Sequence, residues 1–67
     1  MRYEFLVKGQ LSETAKAAFP ELQSATGPAG AGTALWGPVP DASAVNGLLA
    51  RFAALGITVV EMRQLPD

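Results

Sequence analysis

The stretch Asp41-Ala42-Ser43-Ala44-Val45-Asn46-Gly47-Leu48-Leu49-Ala50-Arg51-Phe52-Ala53-Ala54-Leu55-Gly56 decides the architecture. Val45, Leu48, Leu49, Phe52 and Leu55 recur at i, i+3, i+4, i+7 and i+10. That is one apolar stripe at the helical period, so the stretch is an amphipathic helix with one buried face. Asp41 follows Pro40 and is an N-cap, its carboxylate accepting from a first-turn amide that has no partner inside the helix. Gly56 stands where a left-handed C-terminal cap belongs. Beyond it, residues 57–64 are rich in β-branched side chains and read as a strand, which Pro66 closes.

Upstream of that helix, residues 33–39 read as a strand holding Leu35 and Trp36, with Gly37 and Pro38 disturbing its end. Residues 23–32 are small and flexible. The first few form an edge strand, and Gly27 to Gly32 a loose hairpin tip. At the N-terminus, Arg2-Tyr3-Glu4-Phe5-Leu6-Val7-Lys8 alternates, with Tyr3, Phe5 and Val7 on one side and Arg2, Glu4, Leu6 and Lys8 on the other. This is a half-buried strand, broken by Gly9 and Gln10. Ser12 is a second N-cap, and Glu13 complements the helix dipole. Leu11, Ala15, Ala18, Phe19 and Leu22 keep helical spacing, and Pro20 ends that helix near Ala18 or Phe19.

The order is therefore β-α-β-β-α-β in one domain, residues 1–67. The economical packing is α+β: a ferredoxin-like sandwich whose four-stranded antiparallel sheet has strand order 4-1-3-2, with two helices on one face. The rival is a three-stranded sheet in which 23–32 contributes nothing.

The helices cover one sheet face and leave the other open. Tyr3, Phe5 and Val7 are expected to face the helices. Glu61 and Arg63 belong on the open side, which puts Val60 and Met62 inside and Val59 outside. Paired residue numbers on the first and last strands then sum to an odd value. A sum of 65 sets Glu4 against Glu61 and Arg2 against Arg63, which is repulsive, whereas 67 sets Glu4 against Arg63 and 69 sets Lys8 against Glu61, and of these 67 is favoured. Leu35 is expected inside with Thr33 and Val39, and Trp36 outside. The open face then carries Leu6, Trp36 and Val59 in a frame of Glu4, Lys8, Glu61 and Arg63. An apolar centre with a charged rim is the composition of an interface. The competing reading makes Trp36 a core anchor.

Composition narrows the function. The 67 residues carry a net charge of −1, with 49% hydrophobic residues, no cysteine and no histidine. A disulfide scaffold, a zinc knuckle, a Cys–His pair and a Ser–His–Asp triad are excluded. The acidic balance argues against a nucleic-acid partner, since phosphate binding needs clustered Lys and Arg. No apolar run reaches the length of a membrane span, and Met1-Arg2-Tyr3-Glu4 does not read as a signal peptide. The expected location is cytoplasmic. The many Ala and Gly residues suggest a GC-rich bacterial genome.

Candidate chemistry is sparse. Gly27-Pro28-Ala29-Gly30-Ala31-Gly32 lacks the Lys-Ser/Thr of a phosphate cradle and joins strand to strand. Glu4 and Glu61 are the one plausible acid pair, and they read more simply as partners of Arg63 and Lys8. Small tautomerases use an N-terminal proline amine, and Arg2 occupies that place. RNA-recognition modules need several aromatics on the open face, where only Trp36 is available. The chain reads as a non-catalytic association module, without cofactor or metal, whose partner is itself or a larger protein.

Two resemblances add to this. In length and strand order the chain resembles ACT-type regulatory domains. That family binds amino acids at the turn from the first strand into the first helix, here Gly9-Gln10-Leu11-Ser12, which the resemblance makes a small-molecule site. Gly37-Pro38-Val39-Pro40-Asp41, Gly47-Leu48-Leu49 and Leu55-Gly56-Ile57 are similar to small actinobacterial proteins of unknown function.

Overall fold

The structure, a computed structural model, describes residues 1–27 and 32–67. The elements are β1 (Arg2–Val7), α1 (Glu13–Ala17), β2 (Gln23–Thr26), β3 (Thr33–Pro38), α2 (Ala42–Ala54) and β4 (Val59–Leu65). The sheet is antiparallel with order β2-β3-β1-β4, which is the expected 4-1-3-2 read from the other edge. The four-stranded open sheet with two helices fits a ferredoxin-like arrangement, and 23–26 does form a strand. The expected hairpin tip falls on residues 28–31, outside the described ones, but its base is closed by Gly27 N–H donating to the Gly32 carbonyl at 2.9 Å.

Both helix starts are capped by the residues that the sequence offers. Ser12 Oγ accepts from Ala15 N–H at 3.1 Å, and Asp41 Oδ1 from Ala44 N–H at 3.0 Å. The end of α2 is a Schellman turn. Gly56, at φ +72°, donates to the Ala53 carbonyl at 3.0 Å, and Ile57 donates to Phe52 at 2.9 Å. Ile57 then packs against the core. Leu55, expected on the buried stripe, is the C-cap residue and is half exposed, because the stripe ends one turn earlier at Phe52. Leu49 lies at the margin of the core, half-buried.

The core is Phe5, Val7, Phe19, Leu35, Val39, Val45, Leu48 and Phe52. Phe5, Val7 and Leu35 come from one side of the sheet, with Thr33 buried beside them, so both helical segments seal that side. The Thr33 hydroxyl is satisfied by donating to the Gly9 carbonyl at 2.9 Å.

The β1–β4 register follows the sum of 67 from Arg2↔Leu65 to Leu6↔Glu61, so Glu4 does face Arg63. It then slips, and Val7 pairs with Val59. Val60 is the extra residue of a β-bulge. This overturns two expected placements. Val59 is not on the open face but on the helix side, half-buried against the core. Val60 is not inside but 61% exposed. Strict alternation back from Glu61 gave the opposite answer because one inserted residue reverses its phase. Met62 stands opposite Phe5 on the helix side, yet 43% of it remains exposed at the sheet edge.

Candidate functional site

The side of the sheet away from the helices is built from three rows that the register defines. The middle row runs Gln23, Trp36, Glu4 and Arg63 from β2 to β4. The next row runs Ala25, Ala34, Leu6 and Glu61. On the far side of the middle row lie Pro38, Arg2 and Leu65. Trp36 and Leu35 are adjacent on β3, so Leu35 goes into the core and Trp36 points the other way. Trp36, Leu6, Ala34 and Leu65 are all half-buried. Leu6 is the diagonal neighbour of Trp36, within reach of an indole ring.

The face therefore has a stepped relief. Trp36 is the largest side chain on it, and directly along β3 sits Ala34, flanked on β2 by Ala25. Arg63 Nε donates to Glu4 Oε1 at 2.8 Å, with the two side chains 63% and 26% exposed. An ion pair this exposed contributes at most about 1 kcal/mol, so its main effect is to orient the guanidinium. Both Nη groups of Arg63 make no hydrogen bond among the described residues. Arg2, Lys8 and Glu61 form no ion pair among the described residues.

The residues singled out from sequence are thus brought together except for one. Glu4, Leu6, Trp36, Glu61 and Arg63 share the open face, Lys8 is exposed just past the end of β1, and Val59 lies on the opposite side of the sheet. Sequence reasoning placed Arg2 on the Glu4 and Leu6 side of β1, but missed Ala25, Ala34, Gln23 and Leu65 as parts of the face. The signal for two of them was there: counting back by two from Trp36 reaches Ala34, and forward from Arg63 the next is Leu65.

The turn at Gly9–Ser12 is largely taken up by the fold. Gly9, at φ +78°, gives its carbonyl to Thr33, Leu11 packs on the core, and Ser12 caps α1, leaving the exposed Gln10.

Apart from this face, a concavity of about 290 Å³ opens between α2 and the segment around Pro38, Val39 and Pro40, lined also by Gly47 and Leu48. At its rim Arg51 Nη1 donates to Glu21 Oε1 and to the Ala18 carbonyl, both at 2.9 Å, and the guanidinium lies 5.3 Å from the Phe19 ring centre. Burial alone raises the pKa of the Glu21 carboxyl. The hydrogen bond from Arg51, the backbone hydrogen bond at Glu21 and the Arg51 charge outweigh it, and the net shift is downward. This pair ties the segment after α1 to α2.

Among the described residues, no three potential ligands of the His, Cys, Asp and Glu types come together. No described helix is long and apolar enough to cross a membrane.

Small α+β folds of this kind share their topology with many unrelated functions, so the family matters more than the fold. The chain belongs to the family described as Domain of unknown function (DUF8691), whose model matches residues 2–63. No curated protein and no solved structure matches the chain.

Proposed function

We propose that the chain is a non-catalytic association module that docks through its open sheet face. The partner is a polypeptide surface that offers small apolar side chains to Trp36 and Leu6 and a carboxylate to Arg63. The observation that carries this reading is the position of Trp36: half-buried on the side of the sheet away from the helices, with Leu6 on its diagonal and Ala34 beside it. A tryptophan in the middle of an uncovered face is the kind of residue that dominates binding energy once water is excluded. The oriented Arg63–Glu4 pair at the margin acts on partner choice more than on affinity.

The test is a Trp36→Ala chain followed by circular dichroism, together with acrylamide quenching of Trp36 in the wild type. Trp36→Ala is expected to fold with a stability change under about 1 kcal/mol, as for a surface substitution. Quenching in the wild type is expected to be efficient in dilute protein, where the face is uncovered. Unfolding of Trp36→Ala overturns the reading, since Trp36 is then part of the fold. Trp36 already shielded from quencher in dilute monomer overturns it too.

A further inference from the structure

We infer that the polypeptide covering this face is a second copy of the same chain. The two copies are related by a two-fold axis that lies between the sheets and runs across the strands, between the Glu4 row and the Leu6 row. The inference rests on the association reading above and adds the partner and the register.

The argument is self-complementarity. A two-fold axis in that position lays each strand over its own copy in the reverse direction, so the middle row of one chain meets the next row of the other. Trp36 then stands over the partner copy's Ala34, with Ala25 beside it. The largest side chain of the face meets the smallest, which is how two layers interdigitate without a void. Glu4 falls over Leu6 and Gln23 over Ala25. At the β4 end, Arg63 falls over Glu61 of the second copy, twice by symmetry. Glu61 has no ion-pair partner among the described residues, and Arg63 uses only Nε on Glu4, so its Nη groups serve the second carboxylate. Arg2 and Lys8 lie at the two ends, in water.

The alternative self-contact, extension of the sheet edge to edge, is guarded against. β4 carries the bulge at Val60 and the charges Glu61 and Arg63, and β2 is only four residues long. Strand spacing and rise give the face a footprint of about 400 Å². This is below the about 800 Å² per partner of a stable complex, so the dimer is a weak one, seen at high micromolar concentration.

Sedimentation equilibrium from about 10 μM to 1 mM at low salt tests this on the wild type, Glu61→Arg, Arg63→Glu and their equimolar mixture. The wild type is expected to dimerise, and each single variant to bind itself about tenfold or more weakly, because both ion pairs become like-charged. The mixture is expected to recover to within a few-fold of wild type. Each mixed dimer keeps one native Arg63–Glu61 pair and gains one reversed pair, and only a reciprocal contact behaves so. Ala34→Trp, which fills the hollow, is expected to fold and to lose association. A mixture no tighter than its components, with association still lost in Trp36→Ala, overturns the register and leaves the docking face standing. Association unaffected by Trp36→Ala overturns the docking face itself. A wild type monomeric at 1 mM overturns the second copy as partner.

Discussion

The rings of Phe19 and Phe52 stack with centroids 4.4 Å apart and planes 21° from parallel, and Phe5 meets the same Phe52 ring at 5.4 Å. Two separate parts of the chain, β1 and the segment just past α1, thus converge on one side chain of α2. A chain of this size is worth roughly 3–10 kcal/mol in total. Phe52→Ala is expected to cost about 3–5 kcal/mol, a large part of that total. Urea denaturation followed by circular dichroism checks this. A wild-type midpoint in the variant contradicts the central place of Phe52.

The bulge makes neighbouring valines unlike. Val59 packs on the core and Val60 is mostly exposed. Val59→Lys is expected to cost about 1–3 kcal/mol by placing an unpaired charge against apolar surface. Val60→Lys is expected to stay within about 0.5 kcal/mol of wild type. Equal effects, or the reverse order, count against the bulge.

The Glu21–Arg51 pair sets a pH dependence. The folded-state pKa of Glu21 is depressed below its ordinary value of 4.5, so the group stabilises the fold when both states are ionised. That contribution is present above the unfolded-state value and is lost as pH falls through the lower folded-state value. Glu21→Gln is expected to be less stable than wild type at neutral pH and to converge with it in acid. Thermal melts at neutral pH and near pH 3 read the difference. A gap that persists unchanged in acid assigns the effect to packing rather than charge.

Two glycines are expected to respond in opposite directions. A Cβ at Gly47, in the middle of α2, meets nothing within 4 Å, so Gly47→Ala is expected to raise stability by about 1 kcal/mol through helix propensity. A Cβ at Gly37 lies 2.7 Å from the Glu21 carbonyl oxygen and 3.1 Å from Leu22 Cδ2. Gly37→Ala therefore forces β3 and the segment after α1 apart and is expected to lower the melting temperature. Paired melts of the two variants check both signs.

Much of this architecture is legible in the residues. The period of Val45, Leu48 and Phe52, the caps at Ser12 and Asp41 and the alternation of β1 are local signals, and local signals survive folding. Repulsion between Glu4 and Glu61 excluded the β1–β4 register with a sum of 65 and left 67 and 69, of which the favoured 67 is the one observed from Arg2 to Leu6. The placement of Val59 was not legible, because a bulge depends on which residue β1 presents to that point of β4, and nothing in 57–64 marks it. The relief of the open face was half legible. Trp36 announces itself and alternation from it reaches Ala34, whereas Ala25 carries no signal until β3 and β2 are known to lie side by side. The Arg51 contacts with Ala18 and Glu21 join residues some thirty positions apart and arise only once α2 is seated.

The extra residue at Val60 also bears on how this chain tolerates changes in length. From Glu61 to Leu65 the pairing with β1 keeps one constant offset, and the change is confined to a single step before it. Loss of one codon there straightens the ladder and leaves Val59 opposite Val7, with the Phe5–Met62 and Glu4–Arg63 pairs unmoved. Loss of one codon three positions later inverts the inward and outward faces of a strand end. Among relatives of this chain, gaps of one residue in β4 are therefore expected to gather at position 60.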